Sequence, residues 1–290
     1  MSGDRDMTTK TRIRNALRDI KTGSVRRIRS LAHRGTAVRC NLCDRRFSHF
    51  MPTGLAAAAF SRHDIVGGGQ RENAKCPRCV SIERTRLVLH YLDVERHLFD
   101  DPPKSMLHVA PEARLRARLS NEANVDLLTV DLHSPFVDEV MDIVDIGKPD
   151  DSFDVILCSH VLEHVPDDRR AMRELFRILK PGGFAILQVP LSLSNAETLE
   201  DPAVDTDAER LERYGQIDHV RLYGQDYASR LESAGFRVEA YLPRGGRDRG
   251  ARAQREGAPV RRVQACRNAA GRLSRSAFIH RRLRSPGRPR

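Results

Sequence analysis

Residues 152–190 contain the stretch that decides the fold, SFDVILCSHVLEHVPDDRRAMRELFRILKPGGFAILQVP. Its two apolar runs, residues 153–158 and 184–189, have the length and composition of buried β-strands. Between them, four apolar residues fall on one helical face: Met172, Leu175, Phe176 and Leu179. Asp167 is placed to cap this helix, and the Pro-Gly-Gly run 181–183 is predicted to end it. A strand, a helix and a second strand in this order predict a parallel sheet with a crossover helix.

The alternation of short apolar runs and helical stretches extends along the chain from Ser105 onward. Further strands are predicted at four places: residues 106–110, 125–130, 139–141 and 236–241. A helix over residues 227–234 precedes the last of these, and residues 260–266 are a candidate for a final strand. Asp154, at the start of the strand 153–158, is expected to be structural. The predicted fold class is α/β, a Rossmann-like, doubly wound, mostly parallel sheet.

Two C-x-x-C pairs precede this sheet and contain four cysteines: Cys40, Cys43, Cys76 and Cys79. Thiolates at positions i and i+3 take two corners of a tetrahedron, so two such pairs predict a closed, structural zinc site. The 32 residues between the pairs exceed the usual zinc-ribbon spacing, which leaves His49 or His63 as a substitute ligand. Redox-active or simply buried thiols are the alternative interpretation.

Four segments are predicted: a basic helical arm (1–34), a small zinc-ribbon-like module with a connecting helix (35–103), the sheet domain (104–266) and an Arg-rich disordered tail (267–290). Gly23 is expected to interrupt the arm, which docks on the protein itself or contacts RNA or a membrane. The triple-glycine run 67–69 predicts a flexible loop, and Ser81 is placed to cap the connecting helix.

The formal net charge of +11 is unevenly distributed. Residues 244–290 contain 15 Arg and no Lys against two acidic residues, so the first 243 residues are close to neutral. A nearly neutral segment of this length does not resemble the basic surface that binds a nucleic-acid backbone, so nucleic acid is the less favoured partner. No apolar run approaches the ~20 residues of a membrane span, and the polar N terminus lacks the apolar stretch of a signal peptide. The sequence therefore predicts a cytosolic protein without a membrane partner.

Two aspartates follow neighbouring predicted strands. Asp131 ends the strand 125–130, where a carboxylate accepts both hydroxyl hydrogens of a nucleotide ribose in dinucleotide-binding folds. Asp142 follows the short strand 139–141, where a carboxylate can accept the exocyclic amine of adenine. A single surface aspartate is normally just solvated. The placement of both at successive strand ends predicts an adenosine site.

The quoted stretch, residues 152–190, resembles the fourth and fifth strands of class I S-adenosylmethionine-dependent methyltransferases. Three further motifs occur together: CPRCVSIERTR (76–86), LHVAPE (107–112) and GQIDHVRLYG (215–224). Their combination is similar to a bacterial group of these enzymes that has a zinc ribbon ahead of the catalytic domain. The resemblance covers residues 39–241, most of the chain, and its long central motif makes it specific.

This resemblance implies S-adenosyl-L-methionine as cofactor, Zn²⁺ as a structural ion and a small-molecule methyl acceptor as partner. Six residues are expected to bind the cofactor: His108, Ala110, Glu112, Asp131, Asp142 and Ser159. His160, Glu163 and His219 are the candidate catalytic residues, and His160 is the first choice for a base that deprotonates the acceptor. His164 is expected to be a packed histidine at a helix start. The polar segment 213–224 either covers the acceptor pocket or is a solvated loop.

The loop after the first strand departs from the family pattern, because Ala110, Pro111 and Glu112 replace a glycine-rich sequence. Pro111 has no N–H, and a pyrophosphate needs free backbone N–H groups, so the loop disfavours a nicotinamide cofactor. S-adenosylmethionine has no phosphate and tolerates such a loop better.

Three functions are compatible with these observations. Methyl transfer to a small-molecule or glycan-related acceptor is favoured, because the body of the chain is near neutral. An RNA base methyltransferase is the first alternative, since both chain ends are basic, although SHVL stands where an NPPY-like acceptor motif is expected. A non-catalytic zinc-binding scaffold, with a first loop that no longer binds cofactor, is the second.

Overall fold

The computed structural model describes residues 23–100 and 102–241, together with the backbone of residues 276–280. The start of the predicted arm, the candidate strand 260–266 and the rest of the tail lie outside the described residues. The chain divides into two compact units. The smaller unit contains the residues up to Gly54, Gln70–His97 and Glu112–Arg118; the larger contains Leu55–Gly69, Leu98–Pro111 and the chain from Leu119 onward.

The strands of the described residues are β1 (Arg34–Cys40), β2 (Arg45–Phe47), β3 (Met51–Thr53), β4 (Ile65–Val66), β5 (Arg71–Lys75), β6 (Lys104–Val109), β7 (Val125–Asp131), β8 (Glu139–Val140), β9 (Phe153–Ser159), β10 (Leu179–Gln188), β11 (Leu191–Ser192), β12 (Leu199–Glu200), β13 (Arg221–Leu222), β14 (Arg237–Tyr241) and β15 (Ser276–His280). The helices are α1 (residues 23–32), α2 (Ala58–Arg62), α3 (Glu83–His90), α4 (Ala113–Leu119), α5 (Asp168–Ile178), α6 (Asp207–Tyr214) and α7 (Tyr227–Ser233). A π-helical turn, Tyr91–Glu95, continues α3, and a 3-10 turn, Leu162–His164, follows β9.

The main sheet belongs to the larger unit and has the strand order β8, β7, β6, β9, β10, β15, β14. The five strands from β8 to β10 are parallel, and β15 runs antiparallel to both of its neighbours. After β6 the chain moves outward to β7 and β8, then returns to β9 on the other side of β6. The strand order therefore reverses between β6 and β9. The predicted Rossmann-like, mostly parallel sheet is confirmed.

The hydrophobic core of this unit lies between the sheet and α5. Leu107 and Ile156 from the strands and Met172 and Leu175 from α5 are fully buried in one cluster. Asp167 caps α5 as predicted, because its Oδ1 accepts the backbone N–H of Arg170 at 2.9 Å. The alternation of buried strands and an amphipathic helix in the quoted stretch is therefore what forms the core.

The end of α5 differs from the prediction. The helix ends at Ile178, and Leu179, expected on the helical stripe, already pairs with Phe153 as the first residue of β10. Lys180 precedes a proline, which disfavours helical backbone and favours the extended conformation. The Pro-Gly-Gly run therefore lies inside β10 rather than ending the helix.

Asp154 ties three strands together at their amino ends. Its Oδ2 accepts hydrogen bonds from the Ser105 backbone N–H at 3.0 Å, the Ser105 hydroxyl at 2.8 Å and the Lys180 ammonium at 2.8 Å. These contacts join β6, β9 and β10. Asp154 therefore has the structural position expected from the sequence.

The smaller unit contains two antiparallel strand pairs, β1 with β2 and β3 with β5. Ser81 does not cap α3: the cap is Ile82 in an extended conformation without a side-chain hydrogen bond. The hydroxyl of Ser81 instead contacts the sulfurs of Cys40 and Cys79. The capping prediction was wrong because the Ser81 hydroxyl contacts these sulfurs and not a backbone N–H of the helix.

Residues 55–69 differ from the predicted contiguous segment 35–103. They contain α2 and β4, and β4 pairs with β11 in the larger unit. Ile65 is buried there in a cluster with Val204, Tyr214 and Leu222. This apolar contact explains why the stretch leaves the smaller unit.

Two segments lie at the ends of the described chain. Gly23 is the first described residue and is helical, so the predicted interruption of the arm falls at the edge of the described residues. Residues 276–280, within the predicted Arg-rich tail 267–290, form β15. The five residues contain the apolar run Ala-Phe-Ile, which is long enough for one short strand inside an Arg-rich segment. Among the described residues, every helix is too short or too polar to cross a membrane.

Candidate active site

Ala110 and His160 flank the point at which the strand order of the main sheet reverses. Ala110 follows β6 and donates its N–H to the Val130 carbonyl at 2.8 Å; His160 follows β9 and donates to the Gln188 carbonyl at 2.7 Å. Both have left-handed backbone, with φ of 45° and 57°. Such strain costs about 1–3 kcal/mol outside glycine and is typical of functional sites. Ligands of open α/β sheets bind beside the carboxyl ends of the strands at this reversal.

Asp131 and Asp142 lie at the ends of the neighbouring strands β7 and β8. Their backbones are joined, since the Met141 N–H donates to the Asp131 carbonyl at 3.0 Å. Asp131 is half-buried, and its Oδ1 accepts the N–H groups of His133 and Ser134 at 2.8 and 2.7 Å. Asp142 is exposed, and its Oδ1 accepts the N–H of Val144 at 3.0 Å. One oxygen of each carboxylate is thus fixed by the backbone, and the other is available as an acceptor.

The remaining residues expected at the cofactor site have different surroundings. His108 is fully buried inside β6. Ser159, at the end of β9, is buried and donates its hydroxyl to Oε1 of Gln188 at 2.9 Å. Glu112 is half-buried, groups with the smaller unit, and accepts the N–H of Arg116 through its carbonyl at 2.9 Å. Ser159 therefore lies at the carboxyl edge of the sheet with Ala110 and Asp131.

Glu163 and His160 form a buried charge contact just after β9. The His160 Nδ1 lies 3.3 Å from Oε1 of Glu163, whose side chain is 1% exposed. The alignment is not that of a hydrogen bond, and both carboxylate oxygens have no hydrogen-bond partner among the described residues. Burial raises the pKa of Glu163, but the imidazoles of His160, His164 and His219 outweigh it and hold that pKa below its usual value.

His164 and His219 pack edge to face beside this carboxylate, with ring centroids 4.8 Å apart. The Nδ1 of His164 lies 3.0 Å from the Asp218 carbonyl oxygen and 3.4 Å from its side chain. His219 is 3% exposed, and burial lowers the pKa of its imidazole, which favours the neutral form. The three candidate catalytic residues named from the sequence, His160, Glu163 and His219, are thus neighbours in the structure.

The segment 213–224 was predicted either to cover a pocket or to be a solvated loop, and its second half is buried. Arg221 is 5% exposed and donates to the carbonyls of Leu162, Val165 and Pro166, at 3.0 Å for Leu162 and 2.8 Å for Pro166. The Val220 N–H donates to the Glu163 carbonyl at 3.0 Å. These bonds hold the segment against the turn that contains Glu163.

A buried network behind this turn was not found from the sequence. Asp168 accepts the hydroxyl of Tyr223 at 2.7 Å and lies 3.4 Å from Arg230, while Glu200 contacts both Arg221 and Arg230. Burial raises the pKa of Tyr223 well above its usual value, so the phenol stays protonated and donates. The sequence signals were the polar segment 213–224, which contains Arg221 and Tyr223, and the second aspartate at the start of α5, which resembles an ordinary acidic first helical turn.

The triple-glycine loop, residues 67–69, belongs to the larger unit and approaches His160. A Cβ at Gly67 would lie 3.4 Å from the Val189 carbonyl and 3.7 Å from Cε1 of His160. Gly67 also has a φ of 81°. The sequence predicted a loop here but gave no indication of its partner.

The four cysteines form one cluster in the smaller unit, with all four sulfurs within 4.8 Å of one another. The Cys40 and Cys79 sulfurs lie 3.6 Å apart, and those of Cys43 and Cys76 lie 3.7 Å apart. Four sulfurs at about 2.3 Å from a tetrahedral zinc ion are about 3.8 Å from each other. The donor set therefore fits zinc.

Neither histidine proposed as a substitute ligand belongs to this cluster of described residues. His49 is exposed and contacts the Ser48 hydroxyl at 3.0 Å. His63 belongs to the larger unit, where its Nδ1 contacts the Asn195 side chain. The long spacing between the cysteine pairs is explained by the residues 55–69, which fold with the larger unit.

Comparisons with a family model and with curated proteins all match methyltransferases. Residues 94–241 match a family model described as a methyltransferase domain. The 27-O-demethylrifamycin SV methyltransferase of Amycolatopsis mediterranei (strain S699) is 30% identical over 119 residues, 41% of this chain and 42% of that protein. The uncharacterized methyltransferase YcgJ of Bacillus subtilis (strain 168) is 38% identical over 73 residues, 25% of this chain and 26% of that protein.

Among solved structures, a SAM-dependent methyltransferase from Archaeoglobus fulgidus aligns with a TM-score of 0.43 at 14% identity, over 68% of this chain and 94% of that chain. The chain spans less than half the length of the curated relatives described above.

Proposed function

Because the chain belongs to the methyltransferase-domain family, whose model matches residues 94–241, we propose that it transfers a methyl group from S-adenosylmethionine to an oxygen of a small-molecule or glycan-related acceptor. The observation that carries this proposal is the position of Asp131 and Asp142 at adjacent strand ends, on the edge that Ala110 and His160 flank. An adenosine group needs hydrogen-bond acceptors at this edge.

The cofactor is held by acceptors of this chain. Asp131, whose Oδ1 accepts the N–H groups of residues 133 and 134, would hold the ribose hydroxyls through Oδ2. Asp142, whose Oδ1 accepts the N–H of Val144, would accept a hydrogen bond from the adenine amine. When bound, S-adenosylmethionine supplies a methyl carbon activated by its sulfonium, so the acceptor oxygen displaces a neutral thioether and has only a proton to lose. Ala110 leaves room at the turn, because its side chain is a single methyl group.

The proton of the acceptor hydroxyl goes to His160. Its Nδ1 faces Glu163 at 3.3 Å, so the carboxylate stabilises the imidazolium that forms, while Nε2 is the atom that takes the proton. General-base catalysis of this type contributes about 10²–10⁴-fold. His219 is buried beside Glu163, where burial lowers the pKa of its imidazole, and it contributes to the site by packing.

Isothermal titration of the purified chain with S-adenosylmethionine tests the cofactor part of the proposal. We expect Asp131→Ala to weaken binding at least about tenfold, because two charge-assisted hydrogen bonds to ribose are lost. Asp126→Ala is the matched control, since Asp126 is exposed at the other end of the same strand. No binding by the folded wild-type chain at millimolar cofactor, or equal affinities for the two variants, would contradict the proposal.

The proposal includes a structural Zn²⁺ held by Cys40, Cys43, Cys76 and Cys79, supported by the sulfur separations. Four thiolates close the coordination sphere, so the ion stabilises the smaller unit and does not activate water. Elemental analysis is expected to give one zinc per chain, lost in the double variant Cys76→Ser/Cys79→Ser and retained in Cys158→Ala. A folded wild-type protein without metal would contradict this assignment.

A second candidate function is methylation of RNA, favoured by a basic cavity of about 310 Å³ in the smaller unit. Its lining includes two of the cysteines and four arginines: Cys43, Cys79, Arg26, Arg45, Arg78 and Arg114. Such a cluster attracts phosphate. This alternative predicts a salt-sensitive RNA affinity that survives replacement of the arginines in residues 244–275 and 281–290 by glutamine, which leaves β15 in place, and is lost in Arg45→Ala/Arg78→Ala. Affinity lost with the tail arginines alone would contradict it.

A further inference from the structure

Glu163, His164 and His219 bring one carboxylate and two imidazoles together within the larger unit. One ligand atom from each of the three residues lies within 4.8 Å of the other two. Two of them come from the turn after β9 and the third from the segment after α6. A cation at about 2.1 Å from each donor needs donor separations of about 3.0–3.5 Å, so a modest inward shift completes the geometry.

Two of these side chains are buried and have donor atoms without hydrogen-bond partners. Both carboxylate oxygens of Glu163, 1% exposed, and Nδ1 of His219, 3% exposed, lack a hydrogen-bond partner among the described residues. Leaving such atoms unpaired destabilises the folded protein, and the cost is larger for a charged group. The contact with His160 at 3.3 Å offsets part of this cost at Oε1 only. A ligand that satisfies the remaining atoms is the simplest reason to keep them there.

The surroundings orient the imidazole of His164 as a metal site requires. His164 places Nδ1 3.0 Å from the Asp218 carbonyl oxygen, a bond that puts the proton on Nδ1 and leaves a lone pair on Nε2. Metal-binding histidines commonly donate their other ring N–H to a backbone carbonyl or a carboxylate. The bond from the Val220 N–H to the Glu163 carbonyl ties the two ligand-bearing segments together.

We propose that Glu163, His164 and His219 bind a divalent cation. Two imidazoles and one carboxylate are a borderline donor set suited to Mn²⁺, Fe²⁺ or Zn²⁺, and three protein ligands leave coordination positions open. This site is separate from the four-thiolate cluster, which has no open position and belongs to the other unit.

The role of the cation rests on the proposed function. An open divalent cation beside His160 binds an acceptor through two neighbouring oxygens, such as a hydroxyl next to a carbonyl or a second hydroxyl. It lowers the pKa of the bound hydroxyl and orients the oxygen for transfer. The acceptor class is therefore a chelating oxygen compound rather than an isolated amine.

Titration of the zinc-loaded full chain with MnCl₂, followed by the electron paramagnetic resonance signal of free Mn²⁺, tests the site. Mn²⁺ favours nitrogen and oxygen donors over thiolates, so the cysteine cluster does not interfere. We expect one Mn²⁺ per chain. His164→Ala, at a partly exposed position, and the near-isosteric Glu163→Gln should each weaken binding at least about tenfold.

His133→Ala is the control, because His133 is exposed and lies outside the cluster; it should bind Mn²⁺ like the wild type. Circular dichroism and cofactor titration on the same samples separate the two proposals. Free Mn²⁺ in the presence of folded, cofactor-binding wild type overturns the cation site alone. Unchanged Mn²⁺ affinity in both His164→Ala and Glu163→Gln overturns it as well. Bound Mn²⁺ without cofactor binding leaves the site standing and contradicts the methyltransferase function.

Discussion

His160 combines a proton-accepting side chain with a strained backbone. The left-handed backbone of His160, with a φ of 57°, is held by a hydrogen bond from its N–H to the Gln188 carbonyl. The turn that leads to Glu163 begins at this residue. Asparagine tolerates this backbone region better than most residues, whereas a β-branched residue does not. Substitutions at His160 can therefore separate the effect of the positive φ on stability from the effect of the imidazole on catalysis.

We expect His160→Asn to retain near wild-type stability and His160→Val to lose about 1–2 kcal/mol, since strain at a positive φ costs about this much. Both should reduce methyl transfer about 10²-fold or more, because neither can accept the proton. Urea unfolding and transfer of labelled methyl from S-adenosylmethionine to a low-molecular-weight extract measure the two effects. Equal stability of both variants would contradict the strain argument, and retained transfer would contradict the role as base.

Gly67 is the second residue whose backbone matters to the site. Its φ of 81° is nearly that of Gly182, at 83°, but only Gly67 faces His160, while a Cβ at Gly182 meets nothing within 4 Å. We expect Gly67→Ala and Gly182→Ala each to cost about 1 kcal/mol of stability, from the positive φ. Only Gly67→Ala should also lower methyl transfer. Equal transfer rates in the two variants would show that the contact with His160 has no effect.

At the scale of elements, the turn after β9 is held by a side chain from β13. Arg221 satisfies the carbonyls of Leu162 and Pro166 and shares Glu200 with Arg230. Because the guanidinium is buried, water cannot reach the carbonyls to replace its hydrogen bonds if the side chain is removed. This network keeps Glu163 and His219 in their relative positions.

We expect Arg221→Met to lower the free energy of unfolding by about 3 kcal/mol, because removing one partner leaves buried carbonyls and the Asp168 carboxylate less well paired. Arg213→Met is the control: its ion pair with Asp201 is about half exposed and contributes less than about 1 kcal/mol. Chemical unfolding measures both. A loss below about 1 kcal/mol for Arg221→Met would show that the network is not needed for stability.

The elements also show how far the sequence could predict the structure. The spacing of apolar residues and the length of each apolar run were sufficient to predict the central strands and α5, because each of these elements buries one face in the core. The end of α5 was misplaced because pairing of Leu179 with Phe153 competes with helix propensity. The exchange of β4 into the larger unit depends on Leu191 and Ser192, far along the chain, so no local pattern at residues 65–66 indicated it.

The candidate site was predictable where the chain order itself brings residues together. Asp131, Asp142 and His160 follow strands, and parallel strands place their carboxyl ends at one edge. The contact of His219 with the Glu163 region was proposed from a resemblance and not from spacing. Asp168 and Arg230 were missed, because a charged residue in an amphipathic helix normally faces solvent.

At the scale of the whole molecule, the sheet depends on Asp154 at the amino ends of three strands. Burial raises the pKa of this carboxyl, but hydrogen bonds from Lys180 and Ser105 lower it further than burial raises it. The folded pKa lies below the unfolded value of about 3.9, so the stabilisation is present above about pH 4 and is lost as the pH falls through the folded pKa.

We therefore expect Asp154→Asn to be less stable than the wild type at neutral pH and to show a smaller loss of stability as the pH falls below about 4. Thermal unfolding between about pH 3 and pH 7 measures this difference. Asp126→Asn, at an exposed carboxyl, should follow the wild type. Parallel pH profiles for Asp154→Asn and the wild type would contradict the assignment.

The pairing of β4 with β11 has a consequence for synthesis on the ribosome. About 125 residues separate the two strands, so β4 has no partner until that length of nascent chain has been added. At about 5–20 residues per second this takes roughly 6–25 seconds. During this interval the apolar Ile65 and the glycine loop are exposed to chaperones and proteases, and the loop reaches its position beside His160 only after β11 has been synthesised.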